Sequence, residues 1–217
     1  MNIPIIFEDQ NIVVINKPES ISSIKGNDKS NFCVYDILSK QLNQKLYIVH
    51  RLDKYVSGVM LFAKNAFSHK FLSKQFEHHD VKKTYLALLH GKLNKKKGEI
   101  IKPIRQFGSG RMGIDIIKGK SSITKFEVVE IFSNSTLVKA MPVTGRKHQI
   151  RVHFYSINHP VVGDLLYGDK KIQSSFERLM LHSFQISFIG LDSKIKTFSC
   201  MPPKSFQRVI DYIKNKS

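Results

Sequence analysis

An aspartate between a basic dipeptide and a Ser-Gly pair is the first place in this chain where chemistry is legible. The run His50-Arg51-Leu52-Asp53-Lys54-Tyr55-Val56-Ser57-Gly58 is followed at once by the apolar stretch Val59-Met60-Leu61-Phe62-Ala63. A carboxylate held at the mouth of a buried strand can serve as a nucleophile if a cation keeps it ionised; the plain alternative is a solvated Asp on a surface loop. A second block, Lys83-Thr84-Tyr85-Leu86-Ala87-Leu88-Leu89-His90-Gly91, sets a tyrosine in an apolar strand. There it is either a core residue with a satisfied hydroxyl or a ring that stacks on an extruded nucleobase. The third block, Thr144-Gly145-Arg146-Lys147-His148-Gln149-Ile150-Arg151-Val152-His153, is the most specific. Thr144 can cap a helix reaching about Ile157. Lys147, His148 and Arg151 would then share a face at i, i+1 and i+4, beside an apolar stripe of Ile150, Phe154 and Ile157. Such a face is either a solvated basic surface or a phosphate-binding one. A buried arginine needs an anionic partner, and Asp53 is a candidate.

The elements that must position these residues read as an α+β chain. Ile5 to Phe7 and Ile12 to Asn16 form two strands around a polar turn at Asp9-Gln10-Asn11. Val34, Ile37, Leu38 and Leu42 have helical spacing after a cap at Ser30 or Asn31, and Phe67, Phe71 and Phe76 mark a second helix after Asn65. Thr84 to Leu89, Ile123 to Phe132 and Thr136 to Val143 are rich in β-branched and aromatic residues and read as strands. Gln106 to Ser122 is a Gly-rich, basic loop or hairpin. Met180 to Phe188 and Lys194 to Phe198 form a late strand pair. Phe206, Val209, Ile210 and Ile213 close the chain with an amphipathic helix. Long strands joined mostly without intervening helices imply a mixed or antiparallel sheet. With no repeat and no linker, residues 1–217 read as a single domain.

The charge narrows the partner. Lys plus Arg number 35 against 17 for Asp plus Glu, a formal net charge of +18. The basic residues are spread along the chain, which predicts a basic folded surface facing a polyanion. A membrane is a poorer fit than nucleic acid, because no basic amphipathic helix has large apolar residues to spare and no apolar run is long enough to span a bilayer. Cys33 and Cys200 offer neither a disulfide framework nor a CxxC site, which fits a reducing cytoplasm. No His or Cys spacing matches a metal site. Gly119-Lys120-Ser121 lacks the preceding glycine that a phosphate loop requires.

The three blocks in this order resemble the RluA family of RNA pseudouridine synthases. The resemblance covers about residues 3 to 206. It includes Ile6 to Asp9, Val13 to Pro18, Pro103-Ile104, Gly119-Lys120, Thr124, Gly163-Asp164-Leu165-Leu166-Tyr167-Gly168 and Leu181-His182-Ser183. It implies a mixed, largely antiparallel sheet with packed helices and a central RNA-binding cleft. It also implies isomerisation of uridine to pseudouridine in RNA, without cofactor or metal. By position, Asp53 is the nucleophile, Tyr85 contacts the target base and Arg151 pairs with the catalytic aspartate. Arg51, Arg146, Lys147 and His148 are the expected RNA contacts. Tyr55 and Val56 depart from the family, which usually has Thr before Ser-Gly. The catalytic hairpin begins near Ile3, which leaves no room for the N-terminal S4 domain of many relatives. RNA selection is therefore expected from the catalytic domain, including the loop Gln106 to Ser122. The expected substrates are tRNA or large-subunit (23S-type) rRNA, handled by a monomer without an obligate protein partner. Two other classes compete with this one: an RNA-binding or chaperone protein that keeps the fold without catalysis, and an N-glycosidic hydrolase, for which no second carboxylate lies in a comparable motif.

Overall fold

The computed structural model describes residues 1–26 and 32–215. In chain order the elements are β1 (Ile5–Glu8), β2 (Ile12–Lys17), α1 (Val34–Gln41), β3 (Tyr47–Ile48), β4 (Ser57–Ala63), α2 (Ala66–Glu77) and β5 (Lys82–His90). Then come β6 (Lys97–Ile101), β7 (Ile104–Gln106), β8 (Met112–Ile114), β9 (Ile123–Ile131), β10 (Ser135–Pro142) and α3 (Gln149–Tyr155). The chain ends with α4 (Lys170–Gln173), β11 (Leu181–Ile189), β12 (Ile195–Ser199) and α5 (Lys204–Lys214). This is the α+β class, and the strand ladders are largely antiparallel. Two compact units divide the chain, residues 1–83 with 183–201, and residues 84–182 with 202–217.

In the first unit β2 pairs with β1 and β4, β3 adds to β4, and β11 lies beside β4 and pairs with β12. The opening turn forms because the Asp9 carboxylate accepts the N–H groups of Asn11 and Ile12 at 2.7 and 2.8 Å. Both faces of β2 and β4 are covered. Ile12, Val14, Val59, Leu61 and Ala63 join Leu72, Val81, Ile186 and Phe188 in one core, while Val13, Ile15, Met60 and Phe62 are also fully buried. That two-sided burial is why these strands are continuous apolar runs rather than alternating ones. Helix α2 lies on the core through Phe71, Leu72 and Phe76, and Asn65 caps it by accepting the Ser68 N–H. Helix α1 is flanked by Cys33 and has no side-chain cap; the cap expected at Ser30 or Asn31 lies outside the described residues.

In the second unit β10 pairs with β5 and β9, and β9 with β6. Strand β9 alternates, with Thr124 and Phe126 inside and Lys125 and Glu127 outside, as a sheet solvated on one face requires. Phe154 of α3 meets Phe126 edge-on. Gln106 to Ser122 resolves into the β7–β8 hairpin and a turn in which the Asp115 carboxylate accepts the Ile117 and Lys118 N–H groups. Gly119 belongs to that turn, donating its N–H to the Asp115 carbonyl. Helix α5 buries Phe206, Val209 and Ile210, three of the four residues that its spacing singled out.

Candidate active site

Asp53 stands in the segment between β3 and β4, and the backbone on each side of it is tied to the interior. The buried Ser23 hydroxyl donates to the Leu52 carbonyl at 2.6 Å and accepts the Leu52 N–H at 3.1 Å. On the other side lies Lys17, whose side chain is fully buried. Its Nζ donates to the carbonyls of Pro18, Ile21 and Lys54 at 2.7, 2.8 and 3.1 Å. The Asp53 carbonyl accepts the Val56 N–H, closing a tight turn. The chain thus reverses at Asp53–Val56, and Ser57-Gly58 already belong to β4. Gly58 is needed there for two reasons: its φ is +116°, and a Cβ would collide with the Ser183 backbone. The family departures fall on either side of the surface. Val56 is buried and anchors the turn, while Tyr55 is exposed with Lys54 Nζ 5.7 Å above its ring. Asp53 itself is partly exposed and Arg51 is exposed.

His50 opens this segment and fastens it to β4. Its Nε2 accepts the Leu61 N–H at 2.9 Å, and its ring stacks on Phe76 at 4.8 Å. Burial, helped by the nearby Lys83 ammonium, pushes its pKa down to about 3. A neutral ring is what the bond requires, because an imidazolium nitrogen has no lone pair for the Leu61 N–H.

Tyr85 lies on β5 opposite Ala140. It is partly exposed, whereas Ala87, Leu88 and Leu89 beyond it are buried.

The Thr144–His153 block folds differently from its sequence reading. Helix α3 begins at Gln149, not after Thr144, and His148 precedes it in the left-handed region at φ 55°. Gln149 organises the turn: its Oε1 accepts from the Thr144 hydroxyl and the Arg146 N–H, and its Nε2 donates to the Ile123 carbonyl and the Thr124 hydroxyl oxygen. Arg146, Lys147 and His148 therefore lie in a turn rather than on a helical face with Arg151. Lys147 is exposed, Arg146 and His148 partly so. Arg146 also donates from Nε to the Ser121 carbonyl.

Arg151 is buried, and the second unit supplies it with a carboxylate. Nε and one terminal nitrogen donate to Asp164 Oδ2 and Oδ1 at 2.7 and 2.8 Å. Asp164 Oδ1 also accepts the N–H groups of Leu166 and Tyr167. The guanidinium sits 5.0 Å from the Tyr167 ring centre. This two-toothed pair fixes the plane of the guanidinium, which a lysine could not match. Asp164 was not singled out from sequence. Its signal was present in the block Gly163 to Gly168, whose first glycine has φ +76° and no room for a Cβ beside the Arg178 carbonyl. Further along α3, His153 bridges the Thr124 hydroxyl and the Lys102 carbonyl. Burial lowers its pKa below the ordinary histidine value.

Comparison with known proteins extends this picture. Residues 11–156 match the family model described as RNA pseudouridylate synthase. An uncharacterized RNA pseudouridine synthase of Haemophilus influenzae is 36% identical over 203 residues, covering 93% of this chain and 88% of that protein. The dual-specificity RNA pseudouridine synthase RluA of Vibrio cholerae is 34% identical over 86% of this chain and 77% of its own. The ribosomal large subunit pseudouridine synthase D of Borreliella burgdorferi is 36% identical, covering 94% and 67%. Among solved structures, human RNA pseudouridylate synthase domain containing 4 superposes with a TM-score of 0.82 at 25% identity, covering 97% of this chain and 93% of that one.

Proposed function

The chain belongs to the RluA family of RNA pseudouridine synthases, and we propose that it isomerises specific uridines of tRNA, large-subunit rRNA or both, with Asp53 as nucleophile. It is an enzyme of the isomerase class, and its substrate is RNA. The observation that carries the finer reading is the double clamp around Asp53. Lys17 and Ser23 tie down Lys54 and Leu52, so the carboxylate is presented from a fixed backbone while remaining partly exposed. One relative is named for the ribosomal large subunit and another for dual specificity; the tRNA part of the proposal rests on the family resemblance.

The chemistry follows from the demands of the reaction. The target uridine must leave its stack, which costs a few kcal/mol. Asp53 acts on the ribose and the N-glycosidic bond breaks. The uracil turns in place and rejoins the ribose through C5, Asp53 is released, and C5 loses a proton while N1 gains one, which completes pseudouridine. Product and substrate are isomers, so the cycle balances internally. Tyr85, partly exposed on β5, contacts the base and assists at the C5 proton. Arg151, the arginine that the resemblance pairs with the catalytic aspartate, is oriented for this by Asp164. Arg51, Arg146, Lys147 and His148 contact RNA phosphates, and the +18 charge draws in the polyanion. The protein works in the cytoplasm as a monomer.

Pseudouridine mapping of total tRNA and rRNA tests this reading in cells with the gene, without it, and with Asp53→Ala. A site lost in both altered strains is the expected result. A site lost on deletion but kept with Asp53→Ala would remove Asp53 as nucleophile.

A further inference from the structure

Tyr167 is a buried tyrosine to which the functional reading gives no role. It is only 1% exposed and forms a small core with Ile104, Met112 and Val152, packed by Ile114. Three structural pieces meet on it. Its hydroxyl oxygen accepts the Met112 N–H from the β7–β8 hairpin at 3.1 Å. The same hydroxyl bonds Nδ1 of His148, the left-handed residue before α3, at 2.8 Å. Its ring lies 5.0 Å from the Arg151 guanidinium.

The ring also carries a second arginine. Arg111, at the end of the hairpin loop, places its guanidinium 5.2 Å from the Tyr167 ring centre and 5.7 Å from that of Tyr155. The two arginines differ in charge balance. Arg151 is neutralised by Asp164, whereas Arg111 is exposed and meets no carboxylate among the described residues. An uncompensated guanidinium resting against two neighbouring aromatic rings has lost little of its donor capacity and already has a restricted geometry. That is the arrangement which favours charge-assisted bonding to a phosphate. Within the hairpin Arg111 is held by its backbone: its carbonyl accepts the Phe107 N–H and its N–H points to the Ser109 hydroxyl. The adjoining strand is held down by Tyr167 through the Met112 amide.

We propose that Tyr167 is a positioning residue for RNA binding. Its hydroxyl docks the β7–β8 hairpin so that Arg111 presents its guanidinium to a phosphodiester of the substrate. This rests on the reading of the chain as an RNA-modifying enzyme, and it makes Arg111 an RNA contact in addition to Arg51, Arg146, Lys147 and His148. Because Asp164 and the Tyr167 ring hold Arg151, the hydroxyl should govern substrate affinity rather than turnover.

The test is a double-mutant cycle of Tyr167→Phe and Arg111→Ala, assayed for KM, kcat and Kd on unmodified tRNA and rRNA-fragment transcripts. Thermal melting serves as the folding control. Arg111→Ala should raise KM and Kd by about tenfold, the size of one lost charge-assisted bond. Tyr167→Phe keeps the ring and should give a similar rise, with kcat within about twofold. The double variant should be no worse than Arg111→Ala alone, because both changes remove the same contact. Multiplying effects, or a Tyr167→Phe enzyme with the parental KM and Kd, would overturn the proposal. Should Tyr167→Phe fail to fold, the salt dependence of Kd for Arg111→Ala decides: its logarithmic slope should fall by about one relative to wild type, the loss of one phosphate contact, and an unchanged slope would overturn the proposal. A wild-type protein inactive on every transcript would contradict the functional reading instead, and the Kd cycle would still decide the role of Tyr167.

Discussion

Acidification should weaken this protein through His50 in a way that a single substitution can isolate. In an unfolded chain a histidine titrates near 6.5, while in the fold His50 is held down at about 3. The folded pKa is depressed, so the unfolded state binds the extra proton between those values. Stability is complete above about pH 6.5 and is lost as pH falls toward 3. At pH 5.5 the size is set by the unfolded value, provided the folded one lies well below. One pH unit at about 1.4 kcal/mol per unit gives a loss of roughly 1.4 kcal/mol relative to neutral pH. Part of the side chain reaches the surface, but its Nε2 is occupied by the Leu61 N–H and its face by Phe76, so protonation must break a bond to β4. His50→Gln keeps an acceptor at similar reach and does not titrate. Guanidinium unfolding of both proteins at pH 7.5 and 5.5 gives the stability gap at each pH. The wild-type advantage should shrink by about 1.4 kcal/mol on acidification. His153, also lowered by burial, titrates in both proteins and cancels. A gap that stays the same at the two pH values would refute the neutral, buried His50.

Other perturbations have equally definite outcomes. Gly58→Ala should destabilise the protein by more than about 2 kcal/mol in a denaturant titration, because a Cβ there meets both a positive φ and the Ser183 backbone; an unchanged midpoint would contradict the close approach. Asp164→Asn should cost about 3 kcal/mol, since it strands a buried guanidinium, and should lower the melting temperature by roughly 6–12 °C for a chain of this size; a melting curve within a degree of wild type would deny the pair its importance. Arg151→Lys should reduce turnover by at least about tenfold with RNA affinity within a few-fold; near-normal kcat would remove Arg151 from the reaction. RNA affinity should fall steeply and linearly with salt on logarithmic axes; a flat response would detach the +18 charge from function.

Much of the scaffold was legible because it obeys local rules. The Asp9 turn, the Asn65 cap and the apolar face of α5 each depend on side chains within a few residues of one another, and each formed where the pattern placed it. The start of α3 is not legible from sequence, because Thr144 looks like a cap, yet its hydroxyl serves the Gln149 amide instead. The left-handed bend at His148 has no glycine to announce it. Lys17 is the harder case. A lysine is ordinarily exposed, and its burial depends on three carbonyls, one of which, at Lys54, lies far along the sequence. Within its own unit Arg151 meets Asp164 in a bidentate pair that its spacing does not announce. Spacing reveals periodic faces but not which carboxylate a returning loop delivers, and Gly163 to Gly168 carried that information without a rule to extract it. Tyr167 was hidden in the same way, since its role depends on the hairpin folding down onto it.

The central claim is that Asp53 performs the isomerisation. The most direct test measures release of tritium from C5-labelled uridine in RNA transcripts by purified wild-type protein and by Asp53→Ala, with RNA affinity measured in parallel. Wild-type protein should release tritium and form pseudouridine in equal amounts, while Asp53→Ala should bind the same RNA within a few-fold and release none. Tritium release by Asp53→Ala at a rate near that of wild type would contradict the account.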